Sequence, residues 1–348
     1  DSSGVQKGSN AKDSSGVQKA LPHCAELEVN GEVPYAMDRH TAIGHNNEMW
    51  IFGGDRGWTL TNKIWKFNLN ALTWREITVH GAPCARRGHT AVKSEGRQSM
   101  IVSGGMVMAH VPYYLYGRLV TNNVSVNDTW ELFLAKDPPV WERRVPVTRP
   151  PPPRRGHASV LFDADGKHPY TRMYVFGGYC EHEECPGLWY NDLWRLIVEK
   201  NEWQKVESWG DVPEARVGHS AACTNRDSFI VFGGGTLDTN ENILYECYEN
   251  GLWHRILPLH GTVPPSPRSY VTVVPVGLQL FMHGGCDNDR ELDCLYSLSL
   301  DFSALLPRSL LSFLAEYIIT NHIPYRNLVE AKAMEQCEEP RGQRGSRK

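Results

Sequence analysis

Residues 49–54, 62–68 and 73–77 read MWIFGG, NKIWKFN and TWREI. A short apolar run ends in a double glycine, an aromatic segment follows, and then a segment that opens on tryptophan. The stretch recurs. Double glycines stand at Gly53-Gly54, Gly104-Gly105, Gly177-Gly178, Gly233-Gly234 and Gly284-Gly285, at steps of 51, 73, 56 and 51 residues. Self-similarity at a period near 50 marks a repeat architecture. The runs before the glycines (MWIF, MIVS, MYVF, FIVF, LFMH) are β-branched and aromatic, with no helical spacing, and predict buried strands. Trp65, Tyr245 and Tyr296 each lie 12 residues after the first glycine of their pair. Trp194 and Trp130 lie 17 and 26 after theirs, which marks loop insertions in those two repeats. Further tryptophans follow at Trp74, Trp141, Trp203 and Trp253, and large aromatics so regularly placed fill seams between packed sheets.

Another mark precedes each apolar run. It is Arg86-Arg87-Gly88-His89, then Arg154-Arg155-Gly156-His157, then Arg216-Val217-Gly218-His219, with weaker forms at Arg39-His40 and Arg268-Ser269-Tyr270. Each opens a further strand. One repeat is therefore four short strands: a after the arginine, b ending in Gly-Gly, c with the aromatic, and d with the tryptophan. That is the composition of a β-propeller blade.

The double glycines, Asn127-Asp128-Thr129-Trp130, Asn191-Asp192-Leu193-Trp194 and the spaced tryptophans resemble kelch repeats, over about residues 24–302. The resemblance implies an all-β kelch β-propeller. Repeat count gives five blades, and since kelch propellers more often have six, six stays open. Cys24 to Gly31 aligns with Trp74 to Gly81 and reads as a strand d lacking its own a, b and c, while the last repeat lacks a strand d. The N-terminal strand is therefore expected to complete the last blade and close the ring.

The expected organisation is a disordered segment at 1–20, a propeller at 21–303, a helical segment at 304–337 and a disordered tail at 338–348. Residues 1–20 are polar, lack aromatics and contain DSSGVQK twice. A net charge of −4 makes no general case for nucleic acid or a membrane surface. No apolar run reaches membrane-spanning length and no secretory signal opens the chain. Nine cysteines without a spaced framework favour reduced thiols, hence a cytoplasmic and secondarily a nuclear location.

No nucleophile elbow, phosphate loop or metalloprotease motif is present, and the expectation is a non-enzymatic binding protein that needs no cofactor. His40, His89, His157 and His219 occupy equivalent places, which points to blade tethers. Cys180, His182 and Cys185 are the candidate metal ligands, but a structural zinc site wants four, and the fourth would have to come from Glu181, Glu183, Glu184 or another loop. The d–a and b–c connections of a four-strand meander emerge at one end. Arg86, Arg154, Arg216 and Arg268 would then form a partial ring at that pole, with Met37 in the aligned place of the first repeat. Beside them lies the insertion 106–126, with Tyr113, Tyr114 and Tyr116. Arginines suit an acidic motif or a chain-terminal carboxylate; alternatively each stacks on a neighbouring aromatic or ties an inter-blade loop.

After Leu306, apolar residues at 310, 311, 313, 314, 317 and 318 predict a helix capped by Ser309. Ser309, Leu310, Leu314 and Ile318 resemble the elongin-binding box found after the propeller in some kelch substrate receptors of cullin-RING ubiquitin ligases. The box prefers cysteine where Leu314 stands. Ile323-Pro324 with Leu328 loosely resembles the cullin-selecting box, and the same stretch loosely resembles an F-box, which would engage a Skp-type adaptor. The resemblance implies a substrate receptor with an adaptor and a cullin as partners. A scaffold, or a metal-dependent kelch-type enzyme, is the alternative.

Overall fold

The computed structural model describes residues 27–299 apart from 58, 116–117, 181–186, 225–226, 258–263, 277–278 and 288–289. The expected N-terminal disorder, the C-terminal helix and the tail lie outside these residues. The described chain is all-β except for one turn of 3-10 helix at Val198–Lys200. It forms two compact units that divide between Glu207 and Ser208.

The first unit holds three antiparallel meanders. Their strands a to d are Thr41–His45, Glu48–Phe52, Ile64–Asn68 and Thr73–Ile77; then Thr90–Ser94, Ser99–Ser103, Thr129–Phe133 and Val140–Arg144; then Ala158–Phe162, Arg172–Phe176, Leu193–Ile197 and Glu202–Val206. The second unit holds Ser220–Cys223, Ser228–Phe232, Leu244–Tyr248 and Leu252–Ile256, then Thr272–Val276, Gln279–His283 and Leu295–Ser299. These are the five predicted repeats, each folded as one sheet.

Strand b is central in every sheet, and in the second, third and fourth it is covered on both faces. That is why its residues read as an uninterrupted apolar run rather than an alternation. All five residues of Ser99–Ser103, Arg172–Phe176 and Ser228–Phe232 are buried. The core lies in the seams between neighbouring sheets. Ile43, Trp50, Phe52 and Ile64 of the first sheet pack on Met100, Val102, Leu132 and Trp141 of the second. Val92 and Ile101 of the second meet Met173, Val175, Leu196 and Trp203 of the third. In the second unit, Ile230 and Phe232 meet Val271, Val273, Leu280 and Met282. Of the strand-d tryptophans, Trp141 and Trp203 fill seams as expected, with Trp141 5.0 Å from the ring of Phe52, while Trp74 and Trp253 meet Phe67 and Phe229 of their own sheets.

The expected closing strand, residues 24–31, is described only from Leu27. Its last residues, Asn30–Gly31, run parallel to Thr73 and Trp74 at the edge of the first sheet. Trp209–Gly210 runs in the same way beside Leu252 and Trp253 of the fourth sheet. Trp209 follows a strand d in sequence, so the N-terminal segment makes the exit that a strand d makes elsewhere in the chain.

The longest insertion is a β-hairpin. Met106–Leu115 pairs with Arg118–Ser125, with a register irregularity between Ala109 and Tyr113. At its base it also pairs with Arg86–Arg87.

Candidate ligand-binding pole

The segment that opens each strand a pairs with the loop after its own sheet's double glycine. Asp38 bridges Asp55, Arg155 bridges Tyr179, Val217 bridges Gly235 and Ser269 bridges Cys286, while Arg87 pairs with Met106. The meander connections thus meet at one end of each sheet, as its topology requires, and in the second sheet the hairpin grows from that end.

The four arginines expected to line this pole are buried instead. Arg86, Arg154, Arg216 and Arg268 are 1%, 2%, 1% and 1% exposed. Arg86 grips Asp128 through both terminal nitrogens, at 2.7 and 2.9 Å, and also donates to the Gly104 carbonyl at 3.0 Å. Arg154 repeats this on Asp192, at 2.8 and 3.0 Å, and on Gly177 O at 2.9 Å. Arg216 and Arg268 donate to Gly233 O and Gly284 O and lie over Tyr245 and Tyr296, at 5.2 and 5.0 Å. Arg268 has Cys294 Sγ at 3.2 Å where the second and third sheets place aspartate. Each guanidinium is turned into its own sheet, onto a carbonyl and the strand-c residues, so the ring of ligand-facing arginines does not form.

The arginine backbone faces the other way. Arg86 N–H donates to Thr61 O and Gly54 N–H donates to Arg86 O, at 3.1 and 2.8 Å. Arg154 with Val126 and Gly105, and Arg268 with Glu241 and Gly234, repeat both bonds. Arg86, Arg154 and Arg268 are each a rivet, the main chain held by the preceding sheet and the side chain by its own. Asn62, Asn127 and Asn242 add amide bonds to the carbonyls of Pro83, Pro151 and Pro265. The Asn-Asp of the Asn-Asp-x-Trp motif therefore divides its work: asparagine ties the next connection, and aspartate takes the arginine and the Trp Nε1–H, at 2.7 Å from Trp130. Burial works to raise the Asp128 and Asp192 pKa values, but Arg86 and Arg154 outweigh it and hold both below the usual carboxylate value.

Two of the recurring histidines behave as tethers in the first unit. His89 and His157 reach Thr41 and Thr90 of the preceding sheet, at 2.8 and 3.0 Å. Burial, reinforced by Arg86, pushes His89 down to about 3, so it is neutral at physiological pH.

The residues that do meet at the pole of the first unit are each rivet's successor and the residue after each double glycine. Arg87 crosses to form an ion pair with Asp55. Arg155 is half-buried over the Tyr179 ring at 5.0 Å, and Tyr179 meets Trp189 edge-on at 5.6 Å. The chain marks them by position alone, immediately after a recurring residue. Tyr113 and Tyr114 lie on the first hairpin strand, and Tyr116 lies outside the described residues. Cys180 is buried and disulfide-bonded, which removes the thiolate that a zinc site needs. It also departs from the expectation of reduced thiols, which Cys84, Cys223, Cys247, Cys286 and Cys294 meet. His182 and Cys185 lie outside the described residues, as do Ser309, Leu310, Leu314, Ile318 and Pro324.

A family profile described as the KLHDC2/KLHL20/DRC7 Kelch-repeats domain matches residues 19–171 and 167–305. The leucine-zipper-like transcriptional regulator 1 homolog of Drosophila melanogaster is 27% identical over 286 residues, 80% of this chain and 26% of that protein. Human host cell factor 2 is 30% identical over 62% of this chain and 26% of its own length. Human kelch domain-containing protein 3 is 28% identical over 62% of this chain and 52% of its own. The match thus spans about a quarter to a half of each of these relatives.

Proposed function

The chain belongs to the kelch-repeat family, and on that premise we propose that it is the substrate-recognition subunit of a cullin-RING ubiquitin ligase, working without chemistry of its own. The observation that carries the binding half is the division of labour at the pole. Rivets repeated from sheet to sheet build the scaffold, and the variable positions beside them gather charges, rings and a hairpin at one end. Such a surface recognises a peptide. Arg155, half-buried over Tyr179, suits an acidic motif or a chain-terminal carboxylate. Support for the ligase half is the resemblance of Ser309, Leu310, Leu314 and Ile318 to an elongin-binding box. The cytoplasm, with the nucleus second, is the compartment in which such a receptor would act.

Affinity capture of the intact chain, of a chain ended after Pro307, and of Arg155→Glu, each read by mass spectrometry, tests both halves. An elongin- or Skp-type adaptor and a cullin should accompany the intact chain and Arg155→Glu but not the truncated chain. Other partners should be lost with Arg155→Glu. Absence of adaptor and cullin from every capture sinks the ligase role and leaves a kelch scaffold.

A further inference from the structure

We infer that Asp38 and Asp55 form a subsite for a basic side chain, a lysine ammonium or an arginine guanidinium, of a peptide bound at the pole. The inference rests on the proposed peptide-binding role of that pole and adds a second chemistry to it.

The backbone forces the two carboxyl groups together. Asp38 N–H donates to Asp55 O and Asp55 N–H to Asp38 O, both at 3.0 Å, so the residues are direct antiparallel partners. Side chains of directly opposed residues share a face, and like charges there repel. The aligned partners in the other two sheets of this unit, Arg87 with Met106 and Arg155 with Tyr179, carry no such repulsion.

The pair is also short of donors. Asp55 is only 4% exposed; one oxygen takes Arg87, and the other, Oδ1, is buried with no hydrogen-bond donor. The Asp38 side chain is 67% exposed, with Arg39 Nε at 4.0 Å. The Asp55 carboxyl group opposite raises the Asp38 pKa, with burial adding to it. For Asp55, burial works upward, but the contact with Asp38 and the Arg87 ion pair bring the pKa below the usual value. A cationic N–H donor arriving at exposed Asp38 offsets the repulsion between the two opposed carboxyl groups. Two carboxylates flanked by two guanidiniums are poor hosts for calcium or magnesium, which take about six oxygens or more.

The test uses the full chain and N-acetylated Ala/Gly peptides that carry one arginine, lysine, citrulline or norleucine, each as free acid and as amide. Affinity is read by fluorescence anisotropy. Arginine and lysine peptides should bind about tenfold more tightly than citrulline and norleucine peptides, the size of one well-placed charge pair. The preference should vanish in Asp38→Asn and survive in the exposed-surface control Glu142→Gln. Equal affinities, or a preference unchanged in Asp38→Asn, overturn the subsite. Preference for free acid over amide reports separately on the carboxylate-reading function. As a measurement independent of any peptide, N-acetylarginine amide should shift the 13C-carboxyl resonances of Asp38 and Asp55 and lower the titration midpoint of Asp38. No shift, or displacement of the probe by calcium, overturns it as well.

Discussion

At the scale of the residue, one arginine carries two opposite duties. A buried, bidentate Arg–Asp pair contributes little net stability by existing, but breaking it leaves an uncompensated buried charge. Arg86→Ala should therefore cost about 3–5 kcal/mol in urea denaturation. Asp128→Asn should be destabilising as well, because it leaves the charge of the more deeply buried Arg86 uncompensated. A stable Arg86→Ala protein that had lost only ligand affinity would return this arginine to the pole. His89 sets a pH dependence of definite sign. Its folded pKa is depressed to about 3 from 6.5, so the neutral form's contribution is complete above about pH 6.5. Below that, the unfolded chain takes up a proton that the folded chain refuses. Stability should fall by about 1.4 kcal/mol per pH unit through this group until about pH 3. The depressed Asp128 and Asp192 add a loss of the same sign, which sets in once the pH falls to the ordinary carboxylate range. Denaturation at pH 7.5 and 5.5 measures the histidine part, and His89→Gln should flatten the difference.

At the scale of the element, the double glycine is a docking surface for the next rivet. Gly54 has φ +100°, and a Cβ there would lie 2.8 Å from Asp38 O and 2.9 Å from His40 Cβ. Neither neighbour is the free end of a flexible side chain. Gly54→Ala should destabilise the protein by about 2 kcal/mol or more, read as a lower melting temperature. An unchanged melting temperature would mean that the loop shifts freely. Gly31 shows the same close approach at the sheet edge, where a Cβ would sit 2.2 Å from Trp74 O. Glycine at these places was legible in the chain as recurrence. The reason for it, a neighbouring main chain within van der Waals contact, belongs to the packed sheet. The hairpin at Met106–Leu115 and Arg118–Ser125 was legible only as an insertion rich in Val and Tyr. Its pairing with Arg86–Arg87 depends on where the preceding connection passes, which local pattern does not carry.

At the scale of the whole molecule, the first unit is a series of sheets joined through seams and rivets, so stability should pass from neighbour to neighbour. Arg154 joins the second sheet to the third. Arg154→Ala should lower hydrogen-exchange protection in Ser99–Ser103 as well as in Arg172–Phe176. A loss confined to the third sheet would show that each sheet holds its own stability.

The amino-acid sequence by itself determined the repeat, strands a to c of every sheet and strand d of the first four, the apolar strand b, the seam tryptophans Trp141 and Trp203 and the tethering histidines His89 and His157. These follow from periodicity and side-chain type, which act within a few residues or recur at a fixed step. Only the tertiary structure decided which arginine of each pair turns inward. Arg86 and Arg154 find Asp128 and Asp192, 42 and 38 residues away, while Arg87 and Arg155 are left to the pole. It also decided that Asp38 and Asp55 share one face and that Cys180 is disulfide-bonded rather than a free thiol. Orientation across a sheet and contact across a seam depend on which strands become neighbours, and no stretch of the chain carries that information alone.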